Sequence, residues 1–157
     1  MDTATERIEQ QMTMLLRRVQ RIHISTASGD IDLDRSAYGI LCRLADEGPQ
    51  RLGLLASAFG LDPSTITRQV QALEKAGLVR RRSDPDDRRA SILDLTEEGA
   101  VTLAHTRAYR RERLEEVLGD WPHHDREELA RLLTKVNDSI TSLVEQAQEP
   151  EAESQEA

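Results

Sequence analysis

The 157-residue chain has 38% hydrophobic, 32% charged and only 3% aromatic side chains, and a formal net charge of −8. That length allows one globular domain or two small lobes, and a core short of aromatic residues must be built from Leu, Ile, Val and Ala, which suits helices better than a large sheet. The single cysteine, Cys42, excludes an intrachain disulfide and a multi-cysteine metal site. No stretch approaches the roughly 18 apolar residues of a membrane span, and Met14, Leu15 and Leu16 run at once into Arg17 and Arg18, so neither a span nor a secretory leader is expected and the cytoplasm is the expected location.

The acidity is segregated. Residues 1–50 carry six basic against eight acidic side chains, residues 51–96 eight against six, and residues 97–157 seven against fifteen. A basic middle can meet a polyanion in spite of acidic flanks, because screening over about 8–10 Å makes local charge outweigh the total.

In the first segment Ile8, Met12, Leu15, Val19 and Ile22 alternate spacings of four and three, which predicts an amphipathic helix of about 20 residues within 5–27 whose stripe needs a partner helix. After the polar "GDIDLD", the run "RSAYGILCRLADEG" sets Ala37, Ile40, Leu41, Leu44 and Ala45 at helical spacing and stops at Gly48 and Pro49. Residues 51–76, "RLGLLASAFGLDPSTITRQVQALEKA", read as a short helix, a break at Gly60 and a second helix. Asp62 is suited to the N-cap of that helix and Pro63 to its first position, where a missing N–H costs nothing. Ile66, Val70 and Leu73 mark its buried face, and Ser64, Arg68, Gln71 and Lys75 fall opposite.

Gly77 ends the helix, and "LVRRRS" and "RASILDL" read as two short strands of a hairpin around the charged turn "SDPDDRRAS", with Val79, Ile92, Leu93 and Leu95 as packing residues. Thr96 caps a long helix through about residue 118, roughly 35 Å at 1.5 Å per residue and longer than a small lobe needs. A last helix carries Leu129, Leu133, Val136, Ile140 and Leu143, again at four-three spacing, to about residue 147. The acidic remainder, 148–157, is expected to be disordered. The fold class is therefore mainly α with a small β-hairpin wing.

Helix, tight turn, helix and hairpin is the order of a winged helix-turn-helix, which places its second helix in the DNA major groove. The segment "LGLLASAFGLDPSTITRQVQALEKAGLVRRRSDPDDRRASILDLTEEG", residues 52–99, closely resembles the MarR-type transcriptional regulators, especially in "LEKAGLVRR", "DPDDRR" and "LTEEG" taken together. The flanking helices match the family's order, so the resemblance extends over all but the tail. It implies one unit over 1–147: a DNA-binding lobe at about 34–96, with the helices at about 5–27 and 97–147 forming a homodimer platform. Two lobes would then grip half-sites of a pseudo-palindromic double-stranded operator about 34 Å apart. The uncovered four-three stripes agree with a second copy.

On this reading the DNA contacts are Ser64, Thr65, Thr67, Arg68 and Gln71 on the recognition helix, with hydroxyls for phosphate or base edges, Arg68 for guanine or phosphate and Gln71 for adenine. The resemblance also implies that Arg89 enters the minor groove and that Asp87 helps to hold it; Arg88 beside them reads as a phosphate partner. Asp84 and Pro85 make the turn. Of Arg80, Arg81 and Arg82, strand alternation keeps some away from DNA. The family further implies a small phenolic or lipophilic effector in a crevice lined by the first, second and fifth helices, for which His23, Tyr38 and Arg107 are polar candidates.

No Gly-rich phosphate loop, nucleophile motif or His-carboxylate set at ligand spacing is present, so no catalysis, cofactor or metal is expected. His123 and His124 diverge by about 100° on a helix and read as surface or cap residues. Cys42 reads as a small buried residue rather than a redox switch, and Tyr38 and Trp121 as packing anchors. Repression is the expected mode. A transcriptional activator of the same fold, or a winged helix that binds another protein, remain the alternatives.

Overall fold

The computed structural model describes residues 3–19 and 35–153. The elements in chain order are α1 (Thr3–Val19), α2 (Arg35–Glu47), β1 (Gln50–Arg51), α3 (Leu52–Phe59), α4 (Pro63–Lys75), β2 (Val79–Ser83), β3 (Ser91–Leu95), α5 (Glu97–Leu118) and α6 (His123–Glu153). Ile22, His23 and the expected continuation of the first helix lie outside the described residues. The chain divides into two compact units, Met1–Glu112 and Arg113–Ala157, within α5.

The helix ends follow their local chemistry. Gly60 adopts φ 59° and Gly77 φ 76°, left-handed values that favour glycine. At each, paired bonds close the preceding helix: Gly60 N–H to Ser57 O and Leu61 N–H to Ala56 O, then Gly77 N–H to Glu74 O and Leu78 N–H to Leu73 O. α4 starts at Pro63 behind an extended Asp62. α5 starts behind Thr96, whose Oγ1 accepts the Gly99 N–H at 3.0 Å and donates to Gly77 O at 2.6 Å. That bridge presses the first turn of α5 onto the α4–β2 turn. A Cβ at Gly99 would lie 2.0 Å from Leu78 O.

The core of the first unit gathers Ile40, Leu41 and Leu44 of α2, Leu55 of α3, the predicted stripe Ile66, Val70 and Leu73 of α4, and Leu93 of β3. Val79 and Leu93 are buried as the sequence predicts, Ile92 and Leu95 are half-buried, and Leu78, not predicted, is fully buried. The predicted hairpin is β2–β3, paired antiparallel from Val79↔Leu95 to Ser83↔Ser91. The sheet has a third strand, β1, on the other side of β3, with Gln50↔Leu93 and Arg51↔Ile92 in register. Two residues carry no periodicity, so only pairing with β3 defines that strand.

In the second unit α6 continues to Glu153, past residue 147 where the last helix is expected to end. The helix thus runs through Pro150, which supplies no N–H to the ladder, into the segment expected to be disordered. Its apolar stripe, Leu132, Leu133, Val136, Ile140, Leu143 and Val144, is 41–66% exposed. No helix among the described residues is long and apolar enough to cross a membrane.

Candidate nucleic-acid interface

The start of α4 is organised by one carboxylate. Asp62 Oδ1 accepts the Thr65 N–H at 2.9 Å and the Ser64 hydroxyl, and Oδ2 accepts the Thr65 hydroxyl at 2.8 Å. The Ser64 hydroxyl first, then the Thr65 N–H, hold the Asp62 carboxyl well below the usual carboxylate range. The Thr67 hydroxyl donates to Pro63 O at 2.7 Å. The hydroxyl protons of all three candidate contacts are thus used inside the helix start, and toward a ligand these groups present lone pairs. Arg68 and Gln71 stand exposed on the face opposite Ile66, Val70 and Leu73, as predicted.

The turn between β2 and β3 is closed by its own backbone and two aspartates. Asp84 N–H bonds Ala90 O at 3.1 Å, and Ala90 N–H bonds Asp87 O at 2.9 Å. Asp84 Oδ1 accepts the Asp86 N–H at 2.9 Å, and Asp87 Oδ1 accepts the Arg89 N–H at 3.0 Å. Asp87 therefore touches the main chain of Arg89, whereas the sequence suggests a carboxylate bracing the guanidinium. Short side chains that bond the backbone two residues on are the ordinary device of a tight turn. Arg88 and Arg89 project from it exposed.

The basic side chains around this region divide into paired and unpaired sets. Arg80 pairs with Asp94 at 3.1 Å, Arg81 with Glu74 at 3.1 Å, and Arg51 with Asp84. Among the described residues, Arg68, Arg82, Arg88 and Arg89 make no side-chain ion pair. In sequence Arg80, Arg81 and Arg82 are indistinguishable neighbours. The register separates them, because Arg80 lies opposite Asp94 while Arg82 lies opposite Ile92. Arg82 is therefore a further exposed arginine of the wing with no carboxylate opposite it in the strand register. Arg51 carried no signal.

Of the three effector candidates, His23 lies outside the described residues and the other two meet on one seam. Tyr38, Cys42 and Asp46 form a stripe along α2 that faces α5. Arg107 reaches both Asp46 oxygens, at 2.9 and 3.0 Å, and Arg110 lies over the Tyr38 ring at 4.3 Å. Burial and then the Cys42 contact push the Tyr38 hydroxyl up, and the Asp46 bond raises Arg107 further still. Cys42 is half-buried beside them rather than enclosed. A cavity of about 230 Å³ opens next to this seam, lined by Ala45, Leu95, Ala100, Leu103, Ala104, Arg107 and Arg111. Arg107 borders it; Tyr38 does not. Trp121, read from sequence as a packing anchor, is 44% exposed, and His123 is a surface residue 4.0 Å from Glu127.

A helix-turn-helix with a capped, polar second helix, followed by an antiparallel wing whose turn carries free arginines, defines a winged helix-turn-helix DNA-binding protein. Residues 33–91 match the MarR family. The chain is 37% identical over 132 residues to the uncharacterized HTH-type transcriptional regulator YxaD of Bacillus subtilis, covering 84% of this chain and 92% of that protein. It is 31% identical to the HTH-type transcriptional repressor NicR of Pseudomonas putida, over 88% of this chain and 90% of that one. Among solved structures, the transcriptional regulator BldR from Sulfolobus solfataricus superposes with a TM-score of 0.69 at 28% identity, covering 88% of this chain and 99% of that one. The chain belongs to the MarR family of DNA-binding transcriptional regulators.

Proposed function

We propose that the chain acts as a cytoplasmic homodimeric repressor that holds a pseudo-palindromic operator and releases it when a small phenolic or lipophilic effector binds. The observation that carries the DNA half of this reading is the division of the arginines. A guanidinium already engaged by a carboxylate offers little to phosphate, whereas Arg68 on α4 and Arg82, Arg88 and Arg89 on the wing keep their charge for a polyanion. In this arrangement α4 enters the major groove, where Arg68 and Gln71 meet base edges or phosphate and Ser64, Thr65 and Thr67 line its first turns. Arg89 enters the adjacent minor groove, whose potential is most negative where A·T pairs narrow it, and Arg88 meets the backbone.

Dimerisation is supported by the exposed apolar stripes of α1 and α6, surface of a kind that soluble monomers rarely leave uncovered. Repression is supported by the name of the Pseudomonas relative. Release needs only an effector with unequal affinity for two arrangements of the dimer, and a preference of a few kcal/mol shifts occupancy by orders of magnitude. The cavity beside Arg107 is where such a ligand could be sought first.

Mobility shifts on the promoter region flanking the chain's own gene, with wild type, Arg68→Ala and Arg89→Ala, test the proposal. Each substitution is expected to weaken binding by about tenfold or more and to flatten the salt dependence by about one unit per lost phosphate contact. Wild-type affinity in both variants would remove the mechanism.

A further inference from the structure

Asp84 is the anomaly of the wing. It begins a turn that carries Asp86, Asp87, Arg88 and Arg89, yet it is 3% exposed, and among the described residues the other buried side chains, Thr106 apart, belong to the apolar core. A carboxylate is removed from water only against compensation. Oδ1 is satisfied by the Asp86 N–H. Oδ2 is buried without a hydrogen bond of ordinary geometry, which leaves the Arg51 guanidinium as its compensation. The Asp86 N–H first, with the Arg51 charge adding to it, lowers the Asp84 carboxyl below its ordinary value, so it is ionised at neutral pH.

The placement of Arg51 gives this pair its reach. Arg51 is in β1, immediately before α3, and takes the N-cap position of that helix without a side-chain capping bond. Its side chain is therefore free to cross the sheet. β1 and β2 are the two outer strands, on either side of β3, and neighbouring strands lie about 4.8 Å apart. The ion pair thus runs from the entry of the helix-turn-helix to the first residue of the wing turn, bracing both ladders. Asp84 then carries the brace into the turn through Asp86. The wing arginines themselves are not touched.

We propose that Arg51 and Asp84 are positioning residues for DNA binding: the pair sets where the wing turn stands relative to the helix-turn-helix, so that Arg89 enters the minor groove while α4 occupies the major groove. This rests on the wing reading above and assigns to Arg51, despite its half-exposed side chain, a role through Asp84 rather than through phosphate. Without the brace the turn keeps its internal bonds but loses its attachment to the lobe's entry, and ordering it on DNA then costs entropy that the pair has already met.

The test uses the full chain and a duplex that the wild-type protein recovers from a randomised library, followed by fluorescence anisotropy. Asp84→Asn keeps an acceptor for the Asp86 N–H and replaces the charged oxygen facing Arg51 with an amide NH2 that cannot accept from it; Arg51→Gln removes the other partner and, at a half-exposed site, spares the fold. Each is expected to weaken binding by about tenfold, and the double variant by no more than either alone. Arg51→Lys should recover part of the loss. Both single variants should also lose discrimination when A·T pairs flanking the half-sites are replaced by G·C, while retaining discrimination inside the half-sites. In an Arg89→Ala background, Asp84→Asn should add nothing.

Wild-type or tighter binding by Asp84→Asn would show Arg51 to be a phosphate contact set free, and would overturn the inference alone. So would a loss in the Arg89→Ala background equal to that in wild type. Unchanged binding by Arg89→Ala itself would remove the wing reading together with the inference. Should Asp84→Asn not fold, the Arg89→Ala background decides: Arg51→Gln should add nothing there, and a loss equal to that in wild type would overturn the inference.

Discussion

The DNA-binding lobe and the last helix use the same apolar spacing and end in opposite states. In α4, Ile66, Val70 and Leu73 are at most 3% exposed, packed beneath α2, α3 and the sheet. In α6, Leu133, Val136, Ile140 and Leu143 keep the same rhythm and are 41–66% exposed. Four-three periodicity therefore announces a face that must be covered and is silent about what covers it. Inside the lobe the covering residues come from this chain. For α6, and for Ile8, Met12 and Leu15 of α1, the proposed cover is a second copy.

The largest effect that would test this contrast is a cavity in the lobe. Leu93→Ala removes a fully buried side chain from the strand shared by both ladders and should cost about 2–5 kcal/mol in denaturant unfolding, by an amount independent of protein concentration. On α6 the matching experiment is Ile140→Asp, which leaves the lobe's fold intact and puts a carboxylate into the proposed dimer seam. Sedimentation equilibrium should show the dimer dissociation constant rising by about a hundredfold. A wild-type chain that sediments as a monomer would break the comparison at its root.

The paired and unpaired arginines make a finer version of the same contrast. Arg82→Ala is expected to lower the slope of log affinity against log salt by about one, as loss of one phosphate contact does, whereas Arg80→Ala, already engaged by Asp94, should lower it by clearly less. Equal slopes would mean that ion pairing in the free protein does not decide which arginines DNA recruits.

The smallest effect concerns the cap of α4. Asp62 has a depressed carboxyl, so its contribution to stability is complete above the ordinary aspartate value of about 3.9 and is lost as pH falls below that value toward the folded one. Asp62→Ala should lower the melting temperature by several degrees at neutral pH. It should also flatten the acid limb of the stability profile, and an acid limb identical to wild type would remove Asp62 as its source.

Much of the lobe was legible because its signals are local. Asp62 and Pro63 open α4, Gly60 and Gly77 close helices with positive φ, and Thr96 caps α5, each through bonds to residues a few positions away. The wing turn was visible for the same reason, since "DPDD" supplies its own acceptors. What escaped was set by distant partners. β1 exists only as the neighbour of β3, and the identical neighbours Arg80, Arg81 and Arg82 acquire different fates from Asp94, Glu74 and Ile92.

By itself, then, the sequence determined the order of the helices and of the β2–β3 hairpin, the ends of α3 and α4, and the apolar face of each amphipathic helix, because capping, glycine conformation and periodicity act over one or two turns of chain. The tertiary structure alone decided which charges are spent and which remain available. It buried Asp84 against Arg51 and left Arg68, Arg82, Arg88 and Arg89 without carboxylate partners among the described residues. The reason is that an ion pair depends on a separation of a few ångströms between groups far apart along the chain, a quantity that exists only once the lobe has closed.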